Sequence, residues 1–133
     1  MERDPSPVRD LWPLLFVRDI GRSIQFYTDA LGFEVVGKAE GEDGIFWCRL
    51  RRGGACFMMQ QLDSGADLAT PPAPSVGFYF VCDDVDEVFA EFARRGLALD
   101  APAEAYYGMR QLSVPDPDGY GVIFESPTEA WSG

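Results

Sequence analysis

The 133 residues of this chain include no histidine, and this absence limits the chemistry that the chain can perform. Neither a Ser-His-Asp nor a Cys-His arrangement can therefore form. No glycine-rich phosphate-binding loop is present, and Gly53-Gly54 is typical of a simple turn. The candidates for proton transfer or for orienting a ligand are polar residues in or beside apolar, strand-like segments: Gln60, Glu125, Tyr79 and Tyr107.

The three cysteines, Cys48, Cys56 and Cys82, do not indicate a second kind of site. They are odd in number, lie within apolar stretches, and are spaced unlike a disulfide framework or a zinc motif. We expect them to be reduced thiols in the core rather than reactive groups.

The elements that must position the candidate residues occur twice along the chain. Residues 14–19 and 78–84 are each an apolar strand ending in an Asp that can cap a helix, and the two capping residues, Asp19 and Asp84, lie 65 positions apart. Each cap precedes a helical apolar face and a glycine that can end the helix. The predicted faces are Ile24, Tyr27 and Leu31 before Gly32, and Val85, Val88, Phe89 and Phe92 before Gly96.

Glycine turns continue the repeat after each helix. Gly54 and Gly119 also lie 65 positions apart, and each precedes a further strand-like segment, at residues 55–60 and 121–125. Between the halves, residues 70–74 contain three prolines and predict a linker. The sequence therefore predicts one α+β domain over residues 1–133, with module one at about 11–63, a proline-rich linker at about 70–74 and module two at about 75–127.

In its order of short motifs, the chain resembles the vicinal oxygen chelate superfamily, which includes glyoxalase I, extradiol dioxygenases and bleomycin-resistance proteins. The resemblance covers roughly residues 11–127 and depends on LFVRD at 15–19, FY at 26–27, LGF at 31–33, DDVD at 83–86, GMR at 108–110 and DPDGY at 116–120. It implies two tandem βαβββ modules whose curved mixed sheets form a cup for a metal or a ligand.

The same resemblance implies where a metal would bind. Glyoxalase-like members place one ligand on the first strand and one on the last strand of each module, usually His, Glu or Gln. The matching positions here are Trp12, Met58, Gly77 and Ile123. None is an ordinary metal ligand, so we expect no metal and no cofactor. The alternative is a weak, displaced oxygen site at Gln60 and Glu125, which lie two residues further along the last strands.

Alternation along the strands predicts which residues line the cup. They are Trp12, Leu14, Phe16, Met58 and Gln60 from module one, with Tyr79, Ile123 and Glu125 from module two. Trp47 belongs to the lining if it, rather than Phe46, faces inward, and Tyr106 and Tyr107 form either a ligand rim or a dimer contact. Such an aromatic lining is typical of a small-molecule pocket. The alternative is that Trp12, Phe16 and Met58 fill the core.

Besides a metal enzyme that uses the displaced oxygen site, which the small number of ligands favours least, these residues support two hypotheses about function. The first is a non-catalytic protein, resembling the bleomycin-resistance branch, that sequesters a hydrophobic aromatic ligand such as an antibiotic or another natural product without a metal. The second is a metal-independent enzyme that uses Glu125 with Tyr79 or Tyr107 as an acid-base pair. Glu125 is the best candidate for a general base or for an ion pair with a basic ligand, unless it points to water.

Composition limits the partners. The 22 acidic and 11 basic residues give a formal charge of −11, which would repel nucleic acid. No basic start precedes an apolar run, and no segment approaches the roughly 20 apolar residues of a membrane span, so we expect a cytoplasmic protein without membrane contact. The resemblance to bleomycin-resistance proteins implies a homodimer in which residues of both chains line each cup. Two-fold pairing is also the commonest assembly of protein chains.

Overall fold

Two successive sets of elements in the same order make up the part of the chain that this computed structural model describes, residues 6–63 and 76–131. The first set is β1 (Leu14–Val17), α1 (Ile20–Gln25), β2 (Glu34–Gly41), β3 (Gly44–Arg52) and β4 (Ala55–Gln61). The second is β5 (Gly77–Val81), α2 (Val85–Arg94), β6 (Ala103–Glu104), β7 (Met109–Pro115) and β8 (Gly121–Pro127). The α+β prediction of two βαβββ modules is confirmed. The predicted linker at 70–74 lies outside the described residues.

Each module folds into one four-stranded mixed sheet. The N-terminal sheet has the order β1-β4-β3-β2, and the C-terminal sheet has the order β5-β8-β7-β6. In both sheets the first and last strands of the module pair in parallel, and the remaining pairs are antiparallel. Leu14 lies opposite Met58, and Tyr79 lies opposite Ile123, so the 65-residue offset of the sequence is preserved in the register.

The helices begin and end as predicted. The Asp19 carboxylate accepts a hydrogen bond from the backbone N–H of Arg22, and the Asp84 carboxylate caps α2 in the same way. α1 continues as a π-helical turn over Phe26–Ala30 before Gly32, whose φ is 74°. No helix among the described residues is long and apolar enough to cross a bilayer.

One core serves both modules and covers a single face of each sheet. Along β1, for example, Leu15 and Val17 are buried, whereas Leu14 and Phe16 are exposed. The Phe33 ring lies 5.5 Å from the Phe80 ring of the second module, so aromatic packing crosses the boundary between modules. The other face of each sheet is left open.

A buried polar network joins α1 to the turn before β8. The Tyr27 hydroxyl donates to Asp116 Oδ2 at 2.5 Å. The neighbouring Asp118 accepts hydrogen bonds from the backbone N–H of Arg18 at 3.0 Å and from the Ser23 hydroxyl. Burial raises the pKa of Asp116, whereas the hydrogen bond from Tyr27 opposes that rise. The DPDGY motif of module two is therefore joined to module one by buried hydrogen bonds.

We expect Tyr27→Phe to lower the free energy of unfolding by about 1–3 kcal/mol, because the buried Asp116 carboxylate loses a donor. The loss should shrink as the pH falls and Asp116 becomes protonated, since the Tyr27 bond favours the ionised carboxyl. Urea denaturation of the purified protein measures both effects.

The matched control is Tyr120→Phe, which removes an exposed hydrogen bond to the Phe16 carbonyl and should cost less. Equal stability of Tyr27→Phe and the unmodified protein would contradict the role of this network.

Candidate functional site

The uncovered face of the N-terminal sheet, here the N-terminal open face, includes two residues of β4 and the four residues opposite them in β1 and β3. They are Leu14, Phe16, Trp47, Arg49, Met58 and Gln60. Phe16 and Trp47 lie opposite Gln60 in the register, while Leu14 and Arg49 lie opposite Met58. Directly opposed residues point to the same side of a sheet. The register therefore places Trp47, and not Phe46, among the residues predicted to line a ligand site.

Trp12 reaches this face from outside the sheet. β1 begins at Leu14, so the prediction of Trp12 as a strand residue is wrong. The Arg49 guanidinium lies 4.2 Å from the centre of the Trp12 ring, which holds the ring beside the strands. Arg49 was missed by the sequence reasoning, although counting back across the Gly53-Gly54 turn would have placed it opposite Met58.

The cysteines are divided between the core and this open face. Cys48 is fully buried, and burial raises the pKa of its thiol to about 11. Cys82 is half-buried against the core, and burial raises the pKa of its thiol as well. Cys56 differs from the prediction, because it alternates with the buried Phe57 and accepts a hydrogen bond from Arg49 on the open face.

The uncovered face of the C-terminal sheet, here the C-terminal open face, is the counterpart in module two. It carries Tyr79, Val81, Gln111, Ser113, Ile123 and Glu125. Tyr79 and Ser113 lie opposite Ile123, while Val81 and Gln111 lie opposite Glu125. Gln111 therefore takes the place that Trp47 has in module one. Gln111 was missed because its register depends on the turn at 116–120.

Glu125 is the most enclosed polar residue of this face, with 6% of its surface exposed. Its Oε1 accepts hydrogen bonds from the Tyr107 hydroxyl and from Gln111 Nε2, each at 2.9 Å. Gln111 Nε2 also donates to the Tyr107 hydroxyl. Partial desolvation and the bond to Glu125 raise the pKa of Tyr107 to about 12, so its phenol stays protonated. Most of the Glu125 surface is therefore buried and not directed into bulk water.

An aromatic cluster surrounds the Tyr107 ring. Tyr106 is fully exposed at 5.3 Å from it, and Trp131 packs edge-on at 6.2 Å between ring centres. Gly108, with φ of 90°, makes this possible, since a Cβ there would lie 2.8 Å from the backbone of Trp131. Its carbonyl also accepts two hydrogen bonds from Thr128. Trp131 was missed because nothing in the sequence pattern shows this close approach.

The residues at the implied metal positions do not fit a divalent ion. Met58 has Leu14 and the cationic Arg49 as cross-strand neighbours. Gly77 pairs with another glycine, and the Ile123 side chain offers no donor atom. Within residues 6–63 and 76–131, no three His, Cys, Asp or Glu side chains cluster closely enough to hold a metal. The alternative oxygen site also has few oxygen donors, because the residues on either side of Gln60 are the aromatic Phe16 and Trp47.

Two of the cavities that border the second module are lined in part by residues of the C-terminal open face. One, of about 700 Å³, lies along the edge of β7 that β6 leaves uncovered, and Gln111 and Ser113 of the C-terminal open face help to line it. The other, of about 450 Å³, lies between the Gly53-Gly54 turn and β5, where Phe33, Phe80 and Phe124 contribute to an apolar wall. Both volumes suit a small molecule. Most of the predicted lining residues lie in neither cavity.

Comparison with protein families identifies the class of protein. A model of the Glyoxalase/Bleomycin resistance protein/Dioxygenase superfamily matches residues 11–124, and the chain belongs to this superfamily. A comparison with curated protein sequences found no significant match.

Solved structures with the same fold include proteins of several kinds. A glyoxylase/bleomycin resistance protein/dioxygenase domain from Frankia sp. EAN1pec is 22% identical, with TM-score 0.71 and coverage of 93% of this chain and 95% of the other. TnmS3, an antibiotic binding protein from Streptomyces sp. CB03234, is 27% identical, with TM-score 0.61 and coverage of 92% and 100%. A bleomycin resistance determinant encoded on transposon Tn5 is 23% identical, with TM-score 0.68 and coverage of 91% and 98%.

Proposed function

We propose that this chain is a binding protein that sequesters a hydrophobic aromatic small molecule, such as an antibiotic or another natural product, without a metal and without converting it. The observation that carries the proposal is the set of large apolar side chains on the two open faces. Phe16 is 45% exposed and Tyr79 is 54% exposed, although both lie on strands whose other face forms the core. Exposed apolar patches of this kind are typical of binding surfaces.

The relatives support the sequestering role. TnmS3 is described as an antibiotic binding protein and the Tn5 protein as a bleomycin resistance determinant, and the chain is similar to each over more than nine-tenths of its length. The side chains of the open faces agree with a sequestering role. They are aromatic and aliphatic at the positions where family members that use a metal have its ligands.

One observation favours the alternative of a metal-independent enzyme. Tyr107 and Glu125, which were predicted as an acid-base pair, are hydrogen-bonded at 2.9 Å. The raised pKa of Tyr107, about 12, argues against proton transfer near neutral pH and fits a phenol that simply orients the carboxylate. Tyr79 makes no hydrogen bond to Glu125 in the described residues. We therefore favour binding over turnover.

We further propose that the chain is a homodimer in which the N-terminal open face of one chain lies opposite the C-terminal open face of its partner. Each open face carries apolar side chains that are partly exposed in the single chain, so pairing would bury them and enclose a ligand between the faces. The cytoplasmic location stays a prediction.

A tryptophan fluorescence titration against planar aromatic natural products tests the proposed binding. For a compound that binds, Trp47→Ala should weaken affinity by about tenfold or more, because a ring on the N-terminal open face is lost. Phe46→Ala is the matched control, since Phe46 is the adjacent aromatic residue on the other side of β3. Equilibrium dialysis then measures the variants independently of their fluorescence.

A chelator should leave this affinity unchanged, and mass spectrometry should recover the bound compound intact. Equal losses in Trp47→Ala and Phe46→Ala would exclude the N-terminal open face as the site. A chelator-sensitive affinity or a modified compound would instead favour an enzyme.

Sedimentation at micromolar concentration tests the homodimer, for which we expect a mass near twice the 14.7 kDa of one chain. Phe16→Asp should shift the population towards single chains, because it would bury a charge between the faces. A mass near 14.7 kDa that ligand does not change would contradict both the dimer and the shared site.

A further inference from the structure

Among the described residues, no cationic side chain forms an ion pair with the Glu125 carboxyl group. The ion pairs within residues 6–63 and 76–131 all involve other carboxylates, including those of Asp86, Glu91 and Asp118. Burying a carboxylate is costly unless an opposite charge compensates it. Because only 6% of Glu125 is exposed, its environment favours the arrival of a cation from outside the chain.

The hydrogen bonds to Glu125 come from neutral groups and reach one of its two oxygens. Tyr107 and Gln111 both donate to Oε1, and Oε2 accepts no hydrogen bond from any described residue. No buried side-chain polar atom in this part of the chain is without a partner, so the unbonded Oε2 is accessible to solvent. One oxygen is thus held in position while the other is free to accept from a ligand.

The rings near this carboxylate add to its preference for a cation. The Tyr107 ring, which belongs to the donor of the hydrogen bond, packs against Trp131 and Tyr106. Tyr79 lies on the same open face, opposite the neighbouring Ile123. The face of an aromatic ring attracts a cation, and the attraction strengthens where water is excluded.

The equivalent position in module one shows that the βαβββ repeat does not require this charge. Gln60 occupies it, 65 residues before Glu125 and in the same register with the first strand of its module. Its neighbour in β3 is the apolar Trp47, whereas Glu125 has the polar Gln111. The two open faces therefore differ, with an aromatic surface in module one and a carboxylate in module two.

We propose that Glu125 binds a cationic nitrogen of the ligand, in an amidinium, guanidinium or ammonium group, with the rings of Tyr107 and Trp131 beside it. This inference rests on the proposed binding function and extends it by naming the charge of the ligand. The aromatic part of the ligand would lie against the apolar residues of the open faces, and its cationic end would reach Oε2.

The matched probes 2-naphthamidine and 2-naphthamide test this inference, because they share one shape and differ in charge. The unmodified protein should bind naphthamidine at least about tenfold more tightly than naphthamide, since a hydrogen bond to a charged group is the stronger one. Glu125→Gln keeps the side-chain shape and should reduce this preference to about twofold or less. Glu42→Gln removes an exposed charge from the turn between β2 and β3 and should leave the preference unchanged.

Trp131→Leu is a second variant on the partly exposed C-terminal segment, and it keeps the test decisive if Glu125→Gln does not fold. It should lower the preference about two- to fivefold.

Equal affinity of the two probes for the unmodified protein would overturn the cation site while upholding aromatic binding. Failure of both probes to bind would count against the proposed function as well. If Glu125→Gln keeps the preference but lowers the mass in sedimentation, the carboxyl group contributes to the subunit interface instead and the inference is wrong.

Discussion

Each sheet of this protein buries only one of its faces within the chain, and this constraint leaves two surfaces on which the proposed ligand would bind. The helices and the aromatic residues between the modules cover one side of both sheets, with Phe33 and Phe80 in contact across the boundary. The buried bond from Tyr27 to Asp116 fixes this arrangement, because it joins the first helix to a turn of the other module. The remaining faces are left to interact with a ligand or another chain.

The two open faces share one backbone register but differ in chemistry. The N-terminal open face presents rings and aliphatic groups around the neutral Gln60, with Arg49 stacked on Trp12. The C-terminal open face presents the carboxylate of Glu125, which Tyr107 and Gln111 hold in position. Such a division suits a ligand with an apolar body and a polar end. Met58, at one of the positions where the resemblance implies a metal ligand, lies opposite an arginine and does not fit the oxygen-donor set of a divalent ion.

Much of the fold could be predicted from the sequence because its signals are local and occur twice. Both Asp caps and both predicted helix ends are found where expected, and the 65-residue offset reappears as equivalent strand register. Alternation correctly placed Phe16, Gln60 and Glu125 on open faces. These predictions required only backbone periodicity and known capping chemistry.

The parts that the sequence did not reveal depend on contacts between distant residues. Trp131 is next to Tyr107 only because Gly108 permits a close approach of the C-terminal segment. Gln111 lies beside Glu125 because of the register between β7 and β8. The sequence pattern predicts this antiparallel register less well than the parallel register between β5 and β8. Trp12 was misplaced because β1 is only four residues long and begins two residues later.

A crystal structure of the protein with an aromatic compound that binds in solution would show where the ligand lies relative to the two open faces. We expect the compound to lie between the N-terminal open face of one chain and the C-terminal open face of its partner, in contact with Phe16 and near Glu125. A compound seated instead in the cavity of about 450 Å³ between the Gly53-Gly54 turn and β5, without contact with Phe16 or Glu125, would contradict this proposal.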